Sequence, residues 1–241
     1  MAANNLDQLL PADIVESVFR RDRPISALEQ LRDGLLPVQA ANFAFHEASV
    51  CVDTAGLVNL SKHKEYAVVL DYFQTKHPTK FIVSAQTILE FWNNHLSAFE
   101  TISAALTKRF GELEREIEKI DPSMGAFREE FKALVSRFSE EYGHLHDPNV
   151  RGRLSALATQ LPECAEVFEA PRLRFSNYAQ YRKATKTPPG FKDAGDGDFF
   201  VWVDCLLGLV TLGKRGVNMG CAILVTDDKK SDWSKGGVAH P

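Results

Sequence analysis

The chain has 241 residues, of which 44% are apolar and 25% charged, and a formal net charge of −4. Those proportions are ordinary for a soluble globular protein, with length for one large domain or one domain carrying an insertion. They exclude a surface that is basic all over, while a local basic face for nucleic acid remains open. Cys51, Cys164, Cys205 and Cys221 are scattered without a CxxC pair, which predicts free thiols in a reducing compartment. The first residues, Met-Ala-Ala-Asn-Asn-Leu-Asp, have neither the basic flank nor the apolar stretch of a signal peptide. The longest apolar run, Phe199 to Leu212, is too short to span a bilayer and contains Asp204. A cytoplasmic protein with no membrane contact is expected.

In chain order, residues 1–46 read as a helical lead-in, with Leu9, Leu10, Ile14, Val15 and Val18 at helical spacing and Pro24 as punctuation. Ser49 to Asp53 reads as a strand apolar on both faces, as a central parallel strand requires. A helix is predicted over Gly56 to Phe73, a second strand over Lys80 to Val83, and then a helix capped by Ser84 and carrying Ile88 to Trp92. This alternation predicts an α/β fold with a parallel sheet.

The rhythm then changes. Apolar residues from Leu96 to Ile120, and again from Phe127 to Phe138, recur every three or four positions between mixed charges. They predict two long amphipathic helices in an antiparallel hairpin, a surface available for a protein partner or self-association. A shorter helix follows from Val150 to Leu161. The helical insertion is placed at about 96–168 within a domain spanning 47–241, and the lack of a closing helix or strand after Trp233 leads us to expect the N-terminal part of a longer protein.

Between Pro171 and Lys192 stand Arg172, Arg174, Arg182, Lys183, Lys186 and Lys192 with no acid, interleaved with Phe175, Tyr178, Tyr181 and Phe191. Such a stretch suits single-stranded nucleic acid, which offers phosphates to pair and bases to stack; a solvated loop fits equally. Thr187-Pro188-Pro189-Gly190 forces a turn, and Asp193, Asp196 and Asp198 follow in close order. Asp198 opens a helix apolar nearly all round, and Cys221 to Thr226 is the last strand, ending in Thr226-Asp227-Asp228-Lys229-Lys230.

In a parallel sheet, strand ends and the helix starts that succeed them share one edge, where ligands bind. Asp53, Glu90, Asp198 and Asp228 each stand at such a position, so the four are expected to converge. Convergent carboxylates resist ionisation together, and a hard divalent cation with oxygen ligands relieves that repulsion. Mg²⁺ or Mn²⁺ fits best, since no histidine or cysteine stands at these points to favour zinc. Such an ion polarises a phosphoryl oxygen and activates water; a two-metal site would hold ions about 3.5–4 Å apart. Lys192, Lys229 and Lys230 are candidate phosphate grips. Asp204 reads as a buried polar contact.

Val52-Asp53-Thr54, Ile88-Leu89-Glu90-Phe91-Trp92, Pro188-Pro189-Gly190-Phe191-Lys192-Asp193, Gly197-Asp198-Phe199-Phe200-Val201-Trp202 and Val225-Thr226-Asp227-Asp228-Lys229-Lys230-Ser231-Asp232-Trp233 resemble, in that order, the landmarks of PIN-like domains. The resemblance covers about residues 49–240 and is to the branch with a PPGxKD segment and a TDDKK-x-DW ending. It implies a three-layer α/β/α fold around a mostly parallel sheet, with the helical hairpin as an elaboration. It also implies a metal-dependent nuclease, usually acting on RNA and often serving as a toxin or defence effector. The family's acids map onto Asp53, Glu90, Asp198 and Asp228, with Asp227 and Asp193 at motif positions of less fixed role. Thr226 matches the hydroxyl that orients the last acid, and Thr54 does the same for the first. Lys192, Lys229, Lys230 and Arg182, together with Thr54 and Thr226, are the substrate-contacting candidates. The family commonly has Asn two positions after the first Asp; Ala55 stands there in this chain. Two other classes share these residues: an RNA- or partner-binding regulatory module without turnover, and a nuclease acting on DNA flaps.

Overall fold

Two fully buried strands fix the middle of the molecule. In the computed structural model, which describes residues 9–20, 28, 29, 32, 44–119, 125–142, 150–227, 230, 232, 234–235 and 238–239, β1 (Ala48–Val52) and β2 (Phe81–Ser84) are buried along their whole length. Alternation sends their side chains to opposite faces. Val50, Val52, Phe81 and Val83 pack with Leu57, Leu70, Phe73 and Leu157 on one side. Cys51 and Ile82 pack with Phe168, Val201, Cys205 and Leu212 on the other. Strands apolar on both faces need helices on both, and the fold supplies them.

The first of those layers holds α2 (Thr54–Lys62), α3 (Tyr66–Thr75) and α6 (Val150–Cys164). The second is α8 (Gly197–Lys214), with α1 (Pro11–Arg20) and α7 (Arg172–Ala184) packed against it through Val15, Phe175, Ala179, Phe199 and Val203. With β3 (Ala165–Phe168) and β4 (Cys221–Val225), the strands lie in the order β3-β2-β1-β4, every neighbouring pair parallel. This is the expected three-layer α/β/α fold on a parallel sheet. Two short strands, β5 (Ser234–Lys235) and β6 (Val238–Ala239), pair antiparallel near the end of the chain, where no further strand was expected.

Other differences have local causes. The single helix expected over Gly56 to Phe73 is two, because His63 is extended and its N–H caps Asn59 and Leu60. The helix expected from Ser84 and the first arm helix are one, α4 (Ala85–Glu118), since neither Gly nor Pro interrupts residues 85–110. Only α5 (Gly125–Tyr142) is separate; Phe110 and Phe138 meet across the hairpin at 5.2 Å, and Arg128 donates to the Glu118 carbonyl. β3, inside the stretch expected as insertion, is an edge strand of the sheet.

The basic stretch from Arg172 is helix α7 and not a loop. Arg172 pairs with buried Asp204, and Arg174 donates through Nε to Glu16 at 2.7 Å and through Nη2 to Asp13 at 2.6 Å. Arg182 lies over the rings of Phe19 and Phe199, at 5.6 and 5.9 Å. These arginines therefore dock α1 and α8. Hydrogen bonds from Arg174 hold both Asp13 and Glu16 below the usual carboxylate range, against the opposing effect of burial. A lowered folded pKa adds stability that is complete above the unfolded value and is lost as pH falls through the folded one. The stability gap between wild type and Arg174→Met, from urea unfolding, is therefore expected to be constant above about pH 5 and to shrink toward about pH 3. A gap unchanged down to that pH would contradict the clamp.

Candidate active site

Strand register builds the site. Val52 pairs with Val225 on one side and Val83 on the other, so Asp53, Ser84 and Thr226 leave the sheet at one level. The Asp53 N–H donates to the Val225 carbonyl at 3.2 Å. Asp53 then caps α2, its Oδ1 accepting from the Gly56 N–H at 2.6 Å, which fixes the carboxylate's direction. Ser84 caps α4 the same way, accepting from the Gln86 N–H at 3.0 Å. One turn on, Gln86 and Glu90 share a helix face, and Gln86 donates to Glu90 Oε1 at 2.9 Å. Thr54 Oγ1 donates to Glu90 Oε2 at 2.8 Å, tying the helices after β1 and β2 together.

The fourth wall comes from the other layer. Gly190 adopts φ +75°, and a Cβ there would lie 2.7 Å from that of Asp198. A Cβ on Gly197 would collide with Glu90 Oε1. Gly197 therefore lets the start of α8 lie against Glu90, and Gly190 lets the preceding turn lie against Asp198. Gly197→Ala is expected to push Glu90 aside and, with a metal held by these acids as proposed below, to weaken Mn²⁺ binding by about 10–100-fold, the range for groups that orient a metal's ligands. Thermal unfolding of the variant should stay close to wild type; unchanged Mn²⁺ affinity by calorimetry would contradict the cradle.

The result is a cavity of about 440 Å³ lined by Asp53, Thr54, Glu90, Asp198, Asp227 and Lys230, together with Ala55, Val58, Asn59, Lys62 and Val201. Five residues expected from sequence to serve the site thus meet there with Lys230, from five separate elements or turns. Asp193 stands beside them, its Oδ1 2.8 Å from Lys230 Nζ. Burial opposes ionisation of Asp193, but hydrogen bonds with Asp198 and Lys230 and the charge of Lys183 bring its carboxyl below the ordinary value. Arg182 and Lys192 do not line the cavity. The Lys192 N–H donates to Asp232 Oδ2 at 3.1 Å, and Asp232 is wholly buried. Asp228, Lys229 and Trp233 lie outside the described residues. Among the described residues no three histidine, cysteine, aspartate or glutamate side chains close into a metal-ligating group.

Asn59 and Lys62 were not anticipated. With Thr54, Ala55 and Val58 they occupy one face of α2, a spacing readable from Asp53 onward once the helix start is known. Asn59 places an amide one turn beyond Ala55 on the same wall. Burial lowers the Lys62 ammonium from its usual pKa, opposed by the charge of Asp227.

Asp204 takes no part in the cavity. Completely buried, it accepts from Ser84 Oγ at 2.6 Å, the Ala170 N–H at 2.8 Å and both Arg172 Nη atoms at 2.9 and 2.8 Å. That is the buried polar contact its position suggested.

An open parallel sheet with carboxylates gathered beyond its strand ends defines an α/β domain whose ligand site lies at the carboxyl edge. Residues 49–237 match the PIN like domain family, so the chain belongs to that family. PIN-like domains are in general nucleases. Among curated proteins and solved structures no significant match was found. None of the described helices is long and apolar enough to cross a membrane.

Proposed function

We propose that the protein is a Mg²⁺- or Mn²⁺-dependent endoribonuclease that hydrolyses phosphodiester bonds in single-stranded RNA, in the manner of a toxin or defence effector acting in the cytoplasm. The observation that carries the reading is the meeting of Asp53, Glu90, Asp198 and Asp227 around one cavity in a PIN-like fold. The residues fit a hard divalent ion. Every candidate donor is a carboxylate oxygen. Gly197 brings the start of α8 against Glu90, and an ammonium, that of Lys230, already sits among the acids.

Asp53, Glu90, Asp198 and Asp228 would hold the metal, with Asp227 and Asp193 as adjoining oxygen donors. When bound, the ion supplies Lewis acidity toward a phosphoryl oxygen and lowers the pKa of water. The protein's own groups do the remaining work. Thr54 and Gln86 fix both oxygens of Glu90, and the α2 cap fixes Asp53. Thr226 orients the last acid. Lys62, Lys229 and Lys230 attract the phosphate backbone, and Lys192 extends that grip beyond the cavity. The preference for RNA follows the family resemblance.

The test is cleavage of matched single-stranded RNA and DNA with Mn²⁺, with and without chelator. The expected result is cleavage of RNA that stops in EDTA and leaves 5′-phosphate and 3′-hydroxyl ends. Equal cutting of DNA would transfer the reading to the DNA-directed alternative. Cleavage that survives EDTA would overturn it, and tight RNA binding with no cleavage at any metal concentration would favour the regulatory module.

A further inference from the structure

The acid cluster contains a cation supplied by the chain. Lys230 Nζ lies 2.8 Å from Asp193 Oδ1 and 3.6 Å from Asp198 Oδ2, and the same side chain lines the cavity with Asp53, Glu90 and Asp227. Its place is set from both sides. Two residues on, buried Asp232 accepts the Lys192 N–H at 3.1 Å, which pins the segment carrying Lys230 to the segment carrying Asp193. Across the same loop, Lys183 Nζ pairs with Asp196 at 2.8 Å and donates to the carbonyl of Ala194 at 3.2 Å. Each acid of the Asp193–Asp198 run thus has a lysine, but only Lys230 is shared with the cavity.

An ammonium has three donors and no acceptor, so its partners are the oxygens that a hard divalent cation also takes. Two cations drawn to Asp198 repel each other, so a divalent ion there weakens the hold of Lys230 and Lys230 weakens the hold of the ion. Lysine's charge rides on a flexible four-carbon stem and can withdraw without moving the backbone.

We propose that Lys230 is a tethered counter-cation that neutralises Asp193 and Asp198 until a divalent ion displaces it, so that metal uptake and release of the Lys230 ammonium are one exchange. The inference rests on the metal-dependent reading above and adds a regulation of that site. The acids stay compensated without metal, which suppresses their mutual repulsion. Metal affinity is held below what the carboxylates alone would give. The released ammonium is left at the wall of the cavity, where a phosphodiester would lie.

Calorimetric titration of chelator-stripped full-length protein with Mn²⁺ tests this, comparing wild type with Lys230→Met and Lys230→Gln. The glutamine variant keeps a donor for Asp193 and removes only the charge, so it serves if the methionine variant fails to fold. Both variants are expected to bind Mn²⁺ about tenfold more tightly than wild type, equivalent to about 1.4 kcal/mol. In wild type, acetylation of the Lys230 amine followed by mass spectrometry should rise when Mn²⁺ is added. Unchanged or weaker Mn²⁺ binding in the glutamine variant, or Lys230 acetylation that does not rise, would reduce the lysine to a structural pin and leave the metal reading standing. An absence of Mn²⁺ binding in wild type and variants alike would remove both.

Discussion

Asp53→Asn is expected to lower Mn²⁺-supported RNA cleavage by at least about a hundredfold while the protein stays folded. The separation arises because Asp53 has two duties. Its Oδ1 caps α2 through the Gly56 N–H at 2.6 Å, and asparagine caps a helix as well as aspartate does. The charge is a different matter. Groups that merely orient a metal's ligands cost about 10–100-fold when removed, so loss of a ligand's charge should cost no less than the upper end of that range. Removing one member of a set of like charges also relieves repulsion, and thermal stability should hold or rise. Cleavage kinetics and thermal unfolding of the same preparation check both halves. Activity within a factor of about ten of wild type would remove Asp53 from the site, and a collapse of stability would make its role structural.

Asp204→Ala is expected to cost about 3–5 kcal/mol, the range for breaking a buried ion pair by deleting one partner. Asp204 is completely buried, whereas the Arg172 side chain retains 26% exposure. Its four hydrogen bonds join the end of β2, the turn after β3 and the start of α7 to α8. Deletion leaves Ser84 Oγ and the Ala170 N–H without that acceptor and Arg172 without its counter-charge, in a domain whose total stability is about 5–15 kcal/mol. Ser84 also caps the helix that carries Glu90, so activity should fall with stability. Urea unfolding decides it, and a loss below about 1 kcal/mol would place the load elsewhere.

Asp53 stands at a strand end and Asp204 inside α8, and that contrast marks what could be read in advance. Strands apolar at nearly every position belong in the middle of a sheet, so β1 and β2 and the edge beyond Val52 and Val83 were legible. So was the Ser84 cap. The position of Asp204 around the helix from Asp198 pointed to a buried polar contact, which is what Asp204 makes. β3 was not legible, because Ala165-Glu166-Val167-Phe168 is only four residues long and follows α6 directly, with Pro162 inside the helix and not between the two elements. α7 was hidden because its polar and basic residues form no amphipathic stripe; its arginines find partners from distant segments, Asp13, Glu16 and Asp204. Asn59 and Lys62 required knowing that α2 starts at Thr54. The pairing of Lys230 with Asp193 spans 37 positions and depends on how the loop before α8 folds back, which no local spacing encodes.

Anomalous diffraction from crystals soaked in Mn²⁺ tests the central claim most directly. The account predicts a peak inside the cavity lined by Asp53, Glu90, Asp198 and Asp227, coordinated by at least two of these acids or by Asp228. A protein saturated with Mn²⁺ that shows no peak there, or shows one only at surface carboxylates away from the strand ends, would contradict it.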